Sequence, residues 1–123
     1  RTHGMRGERT AKGLHFGRSW RHASDGGWFS YDLKVLPETQ QELRIGFWGS
    51  DAGGREFDIL VDGVKLASLK LENNRPGEFY DETYPLPKEL LADKKAVTVK
   101  FQAHPGKTAG GIFGCAVLKS AKK

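Results

Sequence analysis

Residues 56–71 read EFDILVDGVKLASLKL. Phe57, Ile59 and Val61 alternate with polar neighbours, which puts one side of an extended segment in a core and the other toward water. Asp62-Gly63 follows at once. Both central positions of a type I′ turn need positive φ, and this dipeptide tolerates it, so the chain reverses there and Val64–Leu71 returns as a hairpin partner. A tight antiparallel hairpin in the middle of the chain points to an all-β fold.

The same period recurs on both sides. In residues 28–35, WFSYDLKV, one face carries Phe29, Tyr31, Leu33 and Val35. Leu43, Ile45 and Phe47 do the same within 42–48, and Val97, Val99, Phe101 and Ala103 within 96–103. Further strands are expected over 16–21, 78–86 and 112–118. Turn signals separate them: Asp25-Gly-Gly, the segment from Pro37 to Gln40, Gly49–Gly54, Asn73–Gly77 and His104–Gly111. Residues 88–92 are expected to make one helical turn, too short to stand alone. No segment is long enough for a helical crossover, so a parallel sheet is not expected. The expectation is an antiparallel β-sandwich or jelly roll of about eight strands. It is expected to span 16–119, with an extended N-terminal segment at 1–15 and a basic tail at 120–123.

The chain has 123 residues and a net charge of +5. That length fits one domain. The excess charge concentrates in Arg1, Arg6, Arg9 and Lys12 and in Lys119, Lys122 and Lys123, while the inner strands mix both signs, so neither nucleic acid nor a membrane is expected as a partner. No apolar run approaches the length of a membrane span. The chain begins at Arg1 without a signal-peptide pattern and is expected to be a processed or excised piece of a longer protein, with no compartment legible in it.

Chemistry-bearing motifs are few. Cys115 is the single cysteine, set in an apolar strand, and is expected to be a small core residue. Gly106-Lys107-Thr108 resembles the end of a phosphate loop, but Phe101 occupies the place of the motif's first glycine and no helix follows. The histidines at 3, 15, 22 and 104 lack metal-ligand spacing. Asp51, Asp58 and Asp62 hint at calcium, yet Asp58 lies on a strand and Asp62 in a turn. Asp81 and Glu82 are strand neighbours and point to opposite faces, so they cannot act as a glycosidase pair. No catalytic set, metal or cofactor is expected.

The tryptophans stand out because they leave the apolar rows. Trp20 sits between Arg18 and Arg21, Trp28 on the polar face of its strand, and Trp48 just before the 49–54 loop. Indole faces stack on the C–H faces of sugars, while polar side chains bond the hydroxyls. This makes Trp20, Arg18, Trp48, Asp51, Asn74, Arg75 and His104 the candidate carbohydrate-binding set. The competing reading is that another sheet or domain covers these tryptophans.

Five stretches in order, GRSWR (17–21), GGWFSYDLKV (26–35), WGSDAGGREFDILVDG (48–63), NNRPGEFYD (73–81) and VTVKFQAHPGKTAGGIFGCAVLK (97–119), resemble the C-terminal β-sandwich domain of β-L-arabinofuranosidase-like enzymes of glycoside hydrolase family 127. The resemblance implies a sandwich similar in kind to galactose-binding domains and a non-catalytic accessory domain of a bacterial, periplasmic or secreted glycoside hydrolase. Such a domain packs on the catalytic domain of its own chain, with binding of a plant-type oligosaccharide as a second role. The alternative is an autonomous carbohydrate-binding module. In those enzymes the zinc-bound cysteine nucleophile lies on a separate helical barrel, so Cys115 is not its counterpart.

Overall fold

The computed structural model describes residues 4–37 and 39–120. Arg1, His3, Glu38 and all of the basic tail except Ser120 lie outside the described residues. The described residues form nine strands: β1 (Arg6–His15), β2 (Arg18–Lys34), β3 (Gln41–Trp48), β4 (Arg55–Val61), β5 (Val64–Leu71), β6 (Phe79–Pro85), β7 (Ala96–Ala103), β8 (Ala109–Ile112) and β9 (Gly114–Lys119), with one helical turn, α1 (Lys88–Leu91), before β7.

Two antiparallel sheets result. The larger runs β1-β2-β7-β4-β5, with β8 on β2, and the smaller runs β6-β3-β9. The alternating rows decide which side faces inward. Phe29 pairs with Phe101 across β2 and β7, and Phe101 with Ile59 across β7 and β4. The Phe29 and Phe101 rings stack at 5.0 Å. From the other layer come Leu43, Ile45 and Phe47, and all of these side chains are fully buried. Each large apolar side chain removed from water contributes about 1.5–3 kcal/mol, which makes this interior the main stabiliser of the sandwich.

The Asp62-Gly63 turn forms as the sequence predicts, with φ of 47° and 83° and Val61 opposite Val64. Two connections depart from the reading. Asp25-Gly26 is not a turn: β2 runs through it, and the positive φ of Asp25, Gly26 and, opposite them, Arg9 forms a bulge at which the β1–β2 register shifts. The first strand does not begin at Phe16, because Phe16 and Gly17 are the turn between β1 and β2. Residues 6–15 are therefore a sheet strand, paired with β2 over most of their length. Gln41 holds the passage between the sheets. Its buried side-chain amide accepts from Leu36 N at 3.0 Å and donates to Leu36 O at 2.7 Å, imitating a strand partner.

Candidate functional site

The long β1–β2 hairpin builds the site. Its turn brings His15 and Phe16 against the outward side of the small sheet, where β3 and β6 end. The His15 ring meets Trp48 edge-on at 4.6 Å, and Phe16 and Phe79 lie 5.4 and 4.8 Å from Trp48. Trp48 and Phe79 are register partners on the face opposite the buried Phe47.

Between the hairpin, the 49–54 loop and the end of β8 lies a cleft of about 380 Å3. Trp20, Trp48 and Phe113 supply its aromatic surfaces, and His15, His22, Asp51 and Arg55 its polar groups. Trp20 and His22 share a strand face two residues apart, their rings 5.0 Å from each other. The indole of Trp20 lies across Gly13 of β1. A Cβ there would stand 2.7 Å from Trp20 Cζ2, so glycine is what lets the ring settle.

Asp51 and Arg55 face each other at 3.9 Å, both largely shielded from solvent. Arg55 also donates to the carbonyls of Ala52 (3.0 Å) and Gly110 (2.8 Å), which fixes its guanidinium. Burial pushes the Asp51 carboxyl above the usual carboxylate range, against the opposing pull of Arg55 and of the Gly111 N–H. Burial and, second, the Arg55 charge hold His22 below its ordinary value. His15 Nε2 is enclosed and has no hydrogen-bond partner. The cleft thus combines stacking surfaces with fixed donors and acceptors, groups that can orient a small polar molecule.

Trp20, Trp48 and Asp51 of the sequence-predicted set meet in this cleft. Arg18 stands beside it, its guanidinium 4.2 Å above the Phe79 ring. The other three do not line it. Asn74 donates to the Tyr80 hydroxyl at 3.5 Å, and Arg75 lies 5.1 Å over the Tyr80 ring. Their loop is tied to the 49–51 segment by backbone bonds, Arg75 N to Gly49 O and Asn73 N to Asp51 O, and by Gly77 N donating to Ser50 Oγ at 2.8 Å. His104 lies on the outer face of the large sheet, 2.8 Å from Asp58. Trp28 is also on that face, with Lys100 Nζ 4.7 Å from its ring.

Sequence reasoning missed His15, His22, Arg55 and Phe113. The two-residue spacing from Trp20 was a signal for His22; nothing local marks the other three.

Ser68, Asp58 and His104 form the only arrangement of a hydroxyl, a carboxylate and an imidazole among the hydrogen bonds of the described residues, and it is not a nucleophilic one. Ser68 donates to the Asp58 carboxylate rather than to the imidazole, so the hydroxyl lacks the hydrogen bond to a histidine base that activates a serine nucleophile. The hydrogen bond from His104 and, second, that from Ser68 hold the Asp58 carboxyl below its usual range. Among the described residues no group of three or more His, Cys, Asp or Glu is placed to hold a metal ion, and no helix is long and apolar enough to cross a membrane.

Solved carbohydrate-binding modules share this fold. A family 35 module from Clostridium thermocellum superposes with a TM-score of 0.66 at 9% identity, over 97% of this chain and 95% of that one. A family 35 module from Paenibacillus barcinonensis gives 0.66 at 12%, with the same coverage. An exo-β-1,3-galactanase from Phanerochaete chrysosporium, solved with β-1,3-galactotriose, gives 0.66 at 12% over 91% of this chain, which matches 26% of that enzyme. At such identities the likeness establishes the fold alone. No curated protein matches the chain in sequence. Residues 1–118 match the family of unknown function DUF6805, and the chain belongs to that family.

Proposed function

We propose that the chain is a non-catalytic, carbohydrate-binding accessory domain of a glycoside hydrolase, of the kind that β-L-arabinofuranosidase-like enzymes of family 127 carry after their catalytic domain. One observation carries the reading: Trp20 and Trp48 line the same cleft as the fixed Asp51–Arg55 pair. A sugar ring lies with its C–H face on an indole, and its hydroxyls bond Asp51, Arg55 and His22. Arg18 acts at the rim. Asn74, Arg75 and His104 have no part in this site. The motif likeness to family 127 and the fold shared with carbohydrate-binding modules both support the reading.

The test is calorimetric titration of the 123-residue domain with arabinose, galactose, β-1,3-galactotriose and plant-wall oligosaccharides. Binding in the micromolar to millimolar range is expected, with Trp48→Ala reducing it at least about tenfold, the order of one good stacking or hydrogen-bonding contact. A domain that binds none of these sugars at millimolar concentration has another role.

The second reading, docking onto the catalytic domain of the same chain, has its own support. Leu14 and Phe16 at the hairpin tip are 74% and 76% exposed, an apolar projection beside the cleft. The two readings separate on one variant: Leu14→Ser weakens docking and leaves binding of a free monosaccharide in place.

A further inference from the structure

Trp20 has a second cleft on its other side. It measures about 370 Å3 and is bounded by Trp20, Phe113, Tyr31, Leu33 and Cys115, with Lys12 and Arg21 beside them. Trp20 and Phe113 line both clefts, so the two adjoin. Lys12 and Arg21 are directly opposed in the β1–β2 register. Like charges facing each other across an antiparallel pair are destabilising. Several cations elsewhere are matched with acids, among them Arg6 with Asp32, Lys94 with Asp62 and Lys107 with Glu56. Neither Lys12 nor Arg21 forms an ion pair with a carboxylate among the described residues.

We propose that this second cleft takes the anionic group of an acidic sugar, with Lys12 and Arg21 as its counter-charges and Trp20 as the stacking wall shared with the neighbouring residue of the same oligosaccharide. The inference rests on the carbohydrate-binding reading and narrows it to acidic oligosaccharides. An apolar floor of Leu33 and Cys115 with charge at one side suits a ring whose anion projects from its edge. A guanidinium offers paired donors to a carboxylate or sulfate, and the ammonium adds a point charge. The electrostatic cost of holding the two cations together then falls when the ligand arrives.

The test compares trigalacturonic acid, its methyl ester, a sulfated galactan oligosaccharide and neutral galactotriose by calorimetry. The acid or the sulfated sugar is expected to bind about tenfold tighter than the ester, and whichever is tighter identifies the anion. Lys12→Gln and Arg21→Gln are each expected to erase that preference while binding of galactotriose stays unchanged. Without ligand, Lys12→Gln is expected to raise the melting temperature by roughly 1–4 °C, because a like-charge pair is relieved. Equal affinity for acid, ester and sulfated sugar, or full preference retained in both variants, overturns the inference and leaves neutral-sugar binding standing. Failure of all four sugars to bind overturns both.

Discussion

Phe16 is the residue at which local preference and position disagree most. It holds the first central place of a two-residue hairpin turn with φ of 50°, where an aromatic side chain is strained. Left-handed backbone costs a non-glycine residue about 1–2 kcal/mol, and Asn tolerates it better. Phe16→Asn is therefore expected to gain about 1 kcal/mol, seen as a melting temperature a few degrees higher. A fall instead would mean that the ring's contact with Trp48 outweighs the strain. His22 supplies a pH dependence at the same scale. Its folded value lies below the ordinary 6.5, so the unfolded chain takes up the proton first. The stability that neutral His22 contributes is present above about pH 6.5 and is lost as pH falls below it. Asp51 acts in the opposite sense: its raised value relieves a cost as pH falls through it. Melting curves of His22→Asn from pH 5 to 8 should show a shallower acid limb than the parent. An unchanged limb would mean that the His22 environment is already open to water. Part of this candidate cleft was legible in the sequence. Trp20, Trp48 and Asp51 were recognisable because an indole off an apolar row and a carboxylate in a glycine-rich loop are out of place. Asn74, Arg75 and His104 had the right chemistry, but which loop touches which cleft depends on contacts far apart in the chain.

At the scale of elements, strands with an inward apolar row were legible to within a residue or two, as β4, β5 and β7 show. β1 was not. Its residues, RGERTAKGLH, lie mostly exposed at the sheet edge, so no burial imposed an alternation. β8 was hidden for the opposite reason. Ala109-Gly-Gly-Ile is buried throughout, and glycine there permits close backbone approach while reading as a loop. The joint between the 49–51 and 73–78 segments gives a sharper test. Gly49 N donates to Glu78 O at 2.7 Å, and a Cβ on Gly49 would lie 1.7 Å from Arg75 O. Gly49→Ala must push the two loops apart and is expected to cost about 1–3 kcal/mol or more, with loss of the proposed sugar affinity because Trp48 and Asp51 flank the joint. A fully stable variant that still binds sugar would show that the loops move independently of the cleft.

Across the whole molecule, one interior carries two faces of different use. Truncating Phe101, which touches both Phe29 and Phe57, is expected to remove about 3–5 kcal/mol, a large share of the roughly 5–15 kcal/mol a domain possesses. Chemical denaturation of Phe101→Ala measures it; a loss under 1 kcal/mol would mean the layers close over the gap. The outer face of the large sheet is finished with ion pairs and the Trp28–Lys100 contact, whereas the hairpin side is left concave and aromatic. Fold class followed from periodicity because the layers are stabilised by what alternates. The concavity did not, since it arises where a hairpin leans across a sheet edge.

Cys115 has a consequence of its own. Burial pushes its thiol up to about 12, so at pH 8 only on the order of one molecule in ten thousand carries the reactive thiolate. Since the chain has a single sulfhydryl, an alkylating reagent reads one position without ambiguity. The rate of that modification becomes a clock for breathing of the β9 edge, and an occupant seated on Leu33 and Cys115 would slow it.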